Sequence, residues 1–130
     1  MNAHDIRTAL SNAPELKIGA NTTAAEADAA FPQLASFNSG GIFVGRFSGR
    51  SPWERHPTED ELLHVLDGEV EVTVLTDTDT ITVTVPSGSI FVVPRGLWHR
   101  QLPKPVVTLL SATPKPTEIS GADNPRKGNQ

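Results

Sequence analysis

The chain has 130 residues, with 11 Lys+Arg against 15 Asp+Glu, 4 His and no Cys, for a net charge of -4. That length supports a single domain around one core. The absence of cysteine removes disulfides, thiolate nucleophiles and cysteine zinc sites, and the acidic balance leaves no surplus to neutralise a polyanion, which argues against nucleic acid and anionic membranes as partners. No apolar run approaches the ~18 residues of a membrane span, and Met1–Leu10 lacks a signal-peptide core, so a soluble cytoplasmic protein is the expectation.

In chain order, Ile6, Ala9 and Leu10 have helical spacing, and Thr23 to Glu26 forms a capping box ahead of a second short helix that Pro32 ends. After the turn residues Asn38 to Gly41 the period changes. Ile42–Phe47, Leu62–Leu66 and Glu69–Leu75 read as strands, with Asp67-Gly68 predicting a tight hairpin between the last two. Val70, Val72 and Val74 alternate with polar residues, as do Ile81, Val83 and Val85, which predicts a second hairpin around Thr76–Asp79. Ile90–Val93 is a continuous apolar run of the kind buried on both faces. Val106–Leu110 is the last predicted strand, and the Pro- and Gly-rich stretch after it reads as flexible. The expected organisation is an N-terminal segment, 1–40, packing on a barrel, 41–111, with a flexible tail, 112–130. Short strands with turns between them and no interleaved helices mean an all-β, antiparallel sandwich or barrel.

Chemistry concentrates where strands meet turns. Glu54 and His56 are two residues apart, hence on one side of an extended stretch; Glu61 opens the next strand, and His99 follows Pro94-Arg95-Gly96 far along the chain. Two imidazoles and one or two carboxylates from separate strands suit a divalent transition metal, and a solvated acidic loop is the plainer alternative. Asp60 competes with Glu61 as the carboxylate. His64, at odd spacing from Glu61, should face the other way, and so should Trp53 and Trp98 relative to His56 and His99. Gln101 shares parity with His99. Phe43 or Phe47, or Arg46 on the alternate parity, would line a substrate pocket; an inward Arg46 would favour a carboxylate-bearing ligand, and an outward one would be only a surface charge.

The order Gly49, Glu54, His56, Glu61, Gly68, followed by Gly88, Pro94, Gly96, His99, resembles the two motifs of the cupin superfamily over residues 49–99. The resemblance implies a jelly-roll barrel. It also implies one divalent transition metal (Fe, Mn, Ni or Zn) inside the barrel, held by His56, Glu61 and His99. Glu54 stands where the family has its first His, as a fourth ligand or as a catalytic base beside the ion. A metal-dependent dioxygenase or isomerase of a small molecule follows, with a homodimer as the assembly; the alternative is a non-enzymatic small-molecule or metal-binding and sensing module. A metal-free epimerase resting on a His/Tyr pair is disfavoured, since the chain has no Tyr.

Overall fold

The computed structural model describes residues 1–127. Two seven-residue helices are present: α1 (Ile6–Asn12), capped by Asp5, whose carboxylate accepts from Thr8 N at 2.9 Å, and α2 (Ala24–Ala30), which starts on the predicted Thr23/Glu26 capping box. Around them nine strands form one curled sheet: β1 (Leu16–Lys17), β2 (Gln33–Phe37), β3 (Gly40–Ser48), β4 (Trp53–Arg55), β5 (Glu61–Leu75), β6 (Thr80–Pro86), β7 (Ile90–Val93), β8 (Trp98–Pro114) and β9 (Glu118–Ser120). Every pairing is antiparallel except β1 with β3. The all-β half-barrel agrees with the fold expected from the alternating segments.

Two long strands are the spine. β5 and β8 pair from Leu62 opposite Ala112 to Leu75 opposite Trp98. β3 lines up along one end of β8 and β4 along the other, and β6 and β7 share the second edge of β5. The inward face collects Val65, Val70, Val72, Val74, Val85, Val107 and Leu109, joined by Ala30 of α2 and Leu16 of β1. Each fully buried valine contributes on the order of 1.5–3 kcal/mol, so this apolar patch is the main stabilising element.

Three expectations are corrected. Asp67-Gly68 is not a hairpin, because β5 runs through it and the β8 register shifts on either side. Gly68 has φ 78°, and a Cβ there would sit 2.3 Å from the Val106 carbonyl oxygen, so the dipeptide makes a bulge that bends the strand. Ile90–Val93 is buried on one face only; Ile90 and Val92 point outward and are exposed while Val93 faces the core. Finally, the stretch expected to be a flexible tail is built into the sheet: 112–114 extend β8, 118–120 form β9 against β4, and Arg126 Nε donates to Thr76 O at 2.7 Å. Of the prolines that looked like linker, Pro114 ends β8, Pro116 lies in the turn into β9 and Pro125 opens a short 3-10 turn. Residues 128–130 of that expectation lie outside the described ones.

Candidate metal centre

Each side chain of the candidate centre is delivered by a strand. Glu54 and His99 are register partners across β4 and β8, so they share a face. Glu61 is the first residue of β5, and burial alternates from it through Leu63 and Val65, which turns Glu61 inward and His64 to the other side. His56 lies just past β4, and its carbonyl accepts from Gly96 N at 2.9 Å, which joins the turn before His99 to the stretch carrying Glu54 and His56. Asp60 is turned away: its Oδ1 accepts from Arg95 N at 2.8 Å on the exposed side of the same turn.

The four expected residues come together. Glu61 Oε1 lies 3.3 Å from His56 Nε2 and 3.1 Å from His99 Nε2, and Glu54 Oε2 is 3.9 Å from His56 Nε2. Donor atoms of Glu54, His56 and His99 all fall within 4.8 Å of one another. His56, Glu61 and His99 are 3%, 4% and 1% exposed, yet Glu61 Oε1 and both Nε2 atoms lack a partner in hydrogen-bond geometry. The approach is at hydrogen-bond distance but not at hydrogen-bond angle. Buried polar groups are normally satisfied, whereas ligands about 2.1 Å from a shared ion lie roughly 3.0 Å apart at a right angle and roughly 3.4 Å apart at a tetrahedral one. The donor set therefore fits a divalent transition metal.

The electrostatics follow from the same contacts. Burial works to raise the Glu61 carboxyl, but the facing imidazoles of His56 and His99 outweigh it and hold it down at about 2. Burial alone would depress His56, and Glu61 and Glu54 reverse this and raise it. Glu54 is pushed up, by burial first and by the Glu61 charge second; its side chain is 33% exposed, and what it reaches is the adjoining cavity.

That cavity is about 990 Å³, with Glu54, Glu61 and Gln101 on the polar side and Phe31, Phe43 and Phe47 on the apolar side. Phe43 and Gln101 thus lie where a substrate pocket would place them, and Gln101 Oε1 is buried without a partner. Arg46, one of the two parities the sequence leaves open, does not line the cavity: on the alternate parity of β3 its Nε donates to Thr108 Oγ1 at 3.0 Å. Trp53 and Trp98 cluster with Leu75, beneath the guanidiniums of Arg100 and Arg55, 4.3 and 4.4 Å from the ring centres, and Trp53 also reaches the cavity wall.

Sequence reasoning missed two hydroxyls. Thr113 Oγ1 donates to Glu61 Oε2 at 2.6 Å, and Thr117 Oγ1 is 3.1 Å from His56 Nδ1. Continuing the period of two from Val107 and Leu109 through Ser111 would have turned Thr113 inward; no pattern points to Thr117.

An antiparallel half-barrel with an inward His/Glu cluster defines a class of small jelly-roll proteins. The comparisons name it. Residues 47–101 match the Cupin_2 family, described as a cupin domain. A germin-like protein 3-8 of Oryza sativa subsp. japonica is 36% identical over 98 residues, 72% of this chain and 42% of that protein. The chain spans about two-fifths of the length of the curated relatives it matches. Among solved structures, a cupin-2 domain containing protein from Shewanella frigidimarina superposes with a TM-score of 0.51 at 20% identity, covering 69% of this chain and 79% of the other. Hydroquinone 1,2-dioxygenase from Sphingomonas sp. TTNP3 with 4-hydroxybenzoate bound superposes at 0.54 and 19% identity, covering 72% and 66%. Motifs, fold and matches identify a small domain of the cupin superfamily. No helix among the described residues is long and apolar enough to cross a membrane.

Proposed function

We propose that this cupin domain is a metal-dependent enzyme, an oxygenase or isomerase of a small molecule, holding one divalent transition metal (Fe, Mn, Ni or Zn) through His56, Glu61 and His99. The observation that carries the reading is the convergence of Glu61 Oε1 on two imidazole nitrogens, all buried and none hydrogen-bonded. Two His and one carboxylate leave coordination positions open, which on Fe(II) admits O₂ or substrate. Glu61 supplies the anionic donor. Phe31, Phe43 and Phe47 present an apolar wall to the body of the ligand, and Gln101 offers a polar contact beside it. Glu54 faces the same cavity with a raised carboxyl, which suits it to hold a proton at Oε2 and exchange it with substrate. The homodimer implied by the family would use the outer face of β7, where Ile90 and Val92 are exposed.

The experiment is elemental analysis of protein purified without added metal or chelator, followed by O₂-uptake and isomerase assays on small polar and aromatic molecules. Near-stoichiometric metal with turnover is expected. No metal, and none taken up on titration, overturns the proposal. A second reading, a non-enzymatic binding or sensing module, is favoured by the position of Glu54, whose Oε2 stands further from His56 Nε2 than Glu61 Oε1 does. Glu54→Gln separates the roles: a lost ligand lowers metal content, whereas a lost base leaves the metal and abolishes turnover. A chain that binds metal but turns nothing over supports the module.

A further inference from the structure

Which atom a ligand turns toward a metal is decided by what holds its other atom. For Glu61 that holder is Thr113, 2.6 Å from Oε2, a distance typical of a hydroxyl donating to a carboxylate. Thr113 Oγ1 is also 2.9 Å from Ser111 Oγ. A threonine has one hydroxyl hydrogen, and the charged carboxylate is the stronger acceptor, so Ser111 donates to Thr113 and Thr113 to Glu61. Oε2 is thereby occupied and Oε1 is left for the centre. For His56 the holder is Thr117, whose Oγ1 lies 3.1 Å from Nδ1. A hydroxyl oxygen accepts as well as donates, so in the tautomer with the proton on Nδ1 the ring donates to Thr117, and the Nε2 lone pair is free to face Glu61 Oε1. His99 has no such support, since its Nδ1 is buried without a partner.

Both threonines belong to one stretch that is tied down on every side. Thr58 Oγ1 donates to Lys115 O at 2.8 Å, Lys115 N donates to Ser39 O, β9 pairs with β4, and Arg55 meets Glu118 at 2.8 Å. We propose that Thr113 and Thr117 are positioning residues: the end of β8 and the turn into β9 select Glu61 Oε1 and His56 Nε2 as the metal-facing atoms and so set metal affinity. The inference rests on the metal-centre reading above.

The test uses the full chain, stripped of metal and titrated with Co(II) and Zn(II) against a chromophoric chelator, with the visible spectrum of the Co(II) form recorded. Thr113→Val and Thr117→Val are each expected to weaken binding by about 10–100-fold, and the Thr113→Val spectrum to change as the freed Oε2 competes for the ion. Thr113→Ser and Thr117→Ser, which restore the hydroxyl, stay within about 3-fold of the parent, as does Thr82→Val on the exposed face of β6. Thr117 is exposed, so its variants carry the test even where Thr113→Val does not fold. Valine variants that bind within about 3-fold of the parent, with an unchanged Co(II) spectrum, overturn the inference alone. A parent chain that takes up neither ion overturns the metal-centre reading and the inference with it.

Discussion

Two stretches of the inner face are equally dry and opposite in chemistry. Around Val70, Val72 and Val107, exposure is 0%, and every side-chain atom removed from water there is carbon. Around His56, Glu61 and His99 burial is nearly as complete, but the atoms that meet are a carboxylate oxygen and two imidazole nitrogens without hydrogen-bond geometry. The first stretch stabilises the fold, while each unsatisfied polar atom in the second costs about 1–3 kcal/mol. The same two strands carry both: β5 has Glu61 at one end and Val70–Val74 toward the other, and β8 has His99 at one end and Val107 and Leu109 toward the other. A polar cluster suspended from the strands that build the core is held in place by stability it does not itself supply. That is how a site can keep unpaired donors poised for an ion.

The sharpest way to break this comparison is a pair of substitutions, one in the polar cluster and one in the apolar stretch. His99→Ala should lower metal affinity by about 100-fold or more, read by chelator competition. It should change the urea stability of the metal-free chain by less than about 1 kcal/mol, because lost packing is offset by removal of two unsatisfied nitrogens. Val72→Ala should do the reverse, costing about 1–3 kcal/mol while leaving metal affinity within about 3-fold. Metal at a hundred times its dissociation constant should stabilise the parent and Val72→Ala by about 2.7 kcal/mol each and His99→Ala by almost nothing. If His99→Ala kept full metal occupancy, the polar end would not be a metal centre.

Gly68 tests where the two ends are joined. Its positive φ and the nearby Val106 carbonyl leave no room for a side chain, so Gly68→Ala is expected to cost about 1–3 kcal/mol. The loss should come mainly from the apolar end, since β5 would straighten away from β8, with Glu61 seven residues off and less affected. Hydrogen exchange at Val70–Val74 and at Leu62–Val65 distinguishes the two; equal loss of protection in both segments would show that the strand responds as one unit.

The apolar end was readable in advance because a period of two survives any context: Val70, Val72 and Val74 would face one side in whatever sheet they joined. The polar end was readable through the order of Glu54, His56, Glu61 and His99 with their glycines, which brings together residues that no local periodicity relates. What escaped was whatever depends on a partner strand. Asp67-Gly68 serves a hairpin and a bulge equally well, and only the approach of Val106 decides between them. Arg46 could face either way until β3 took its register on β8. Thr117 reaches His56 only because β9 folds back on β4, and the prolines around it have the composition of a linker.

The smallest expected effect is in pH, and it separates the two ends most cleanly. In the metal-free chain His56 and Glu54 are raised above their ordinary 6.5 and 4.5, so their contributions are complete below those values and fade as pH rises through the raised ones. Glu61, held at about 2, contributes above 4.5 and fades as pH falls toward 2. The contact between Glu61 and His56 appears in both shifts and counts once. Metal-free protein should therefore melt higher at about pH 5.5 than at about pH 7.5. Metal binding needs both imidazoles and the carboxylates deprotonated, so metal-saturated protein should show the opposite order. Val72→Ala should move both curves down in parallel, because no valine titrates, whereas His99→Ala should abolish the reversal. A metal-saturated parent whose melting temperature followed the metal-free order would mean that the ion is held somewhere other than His56, Glu61 and His99.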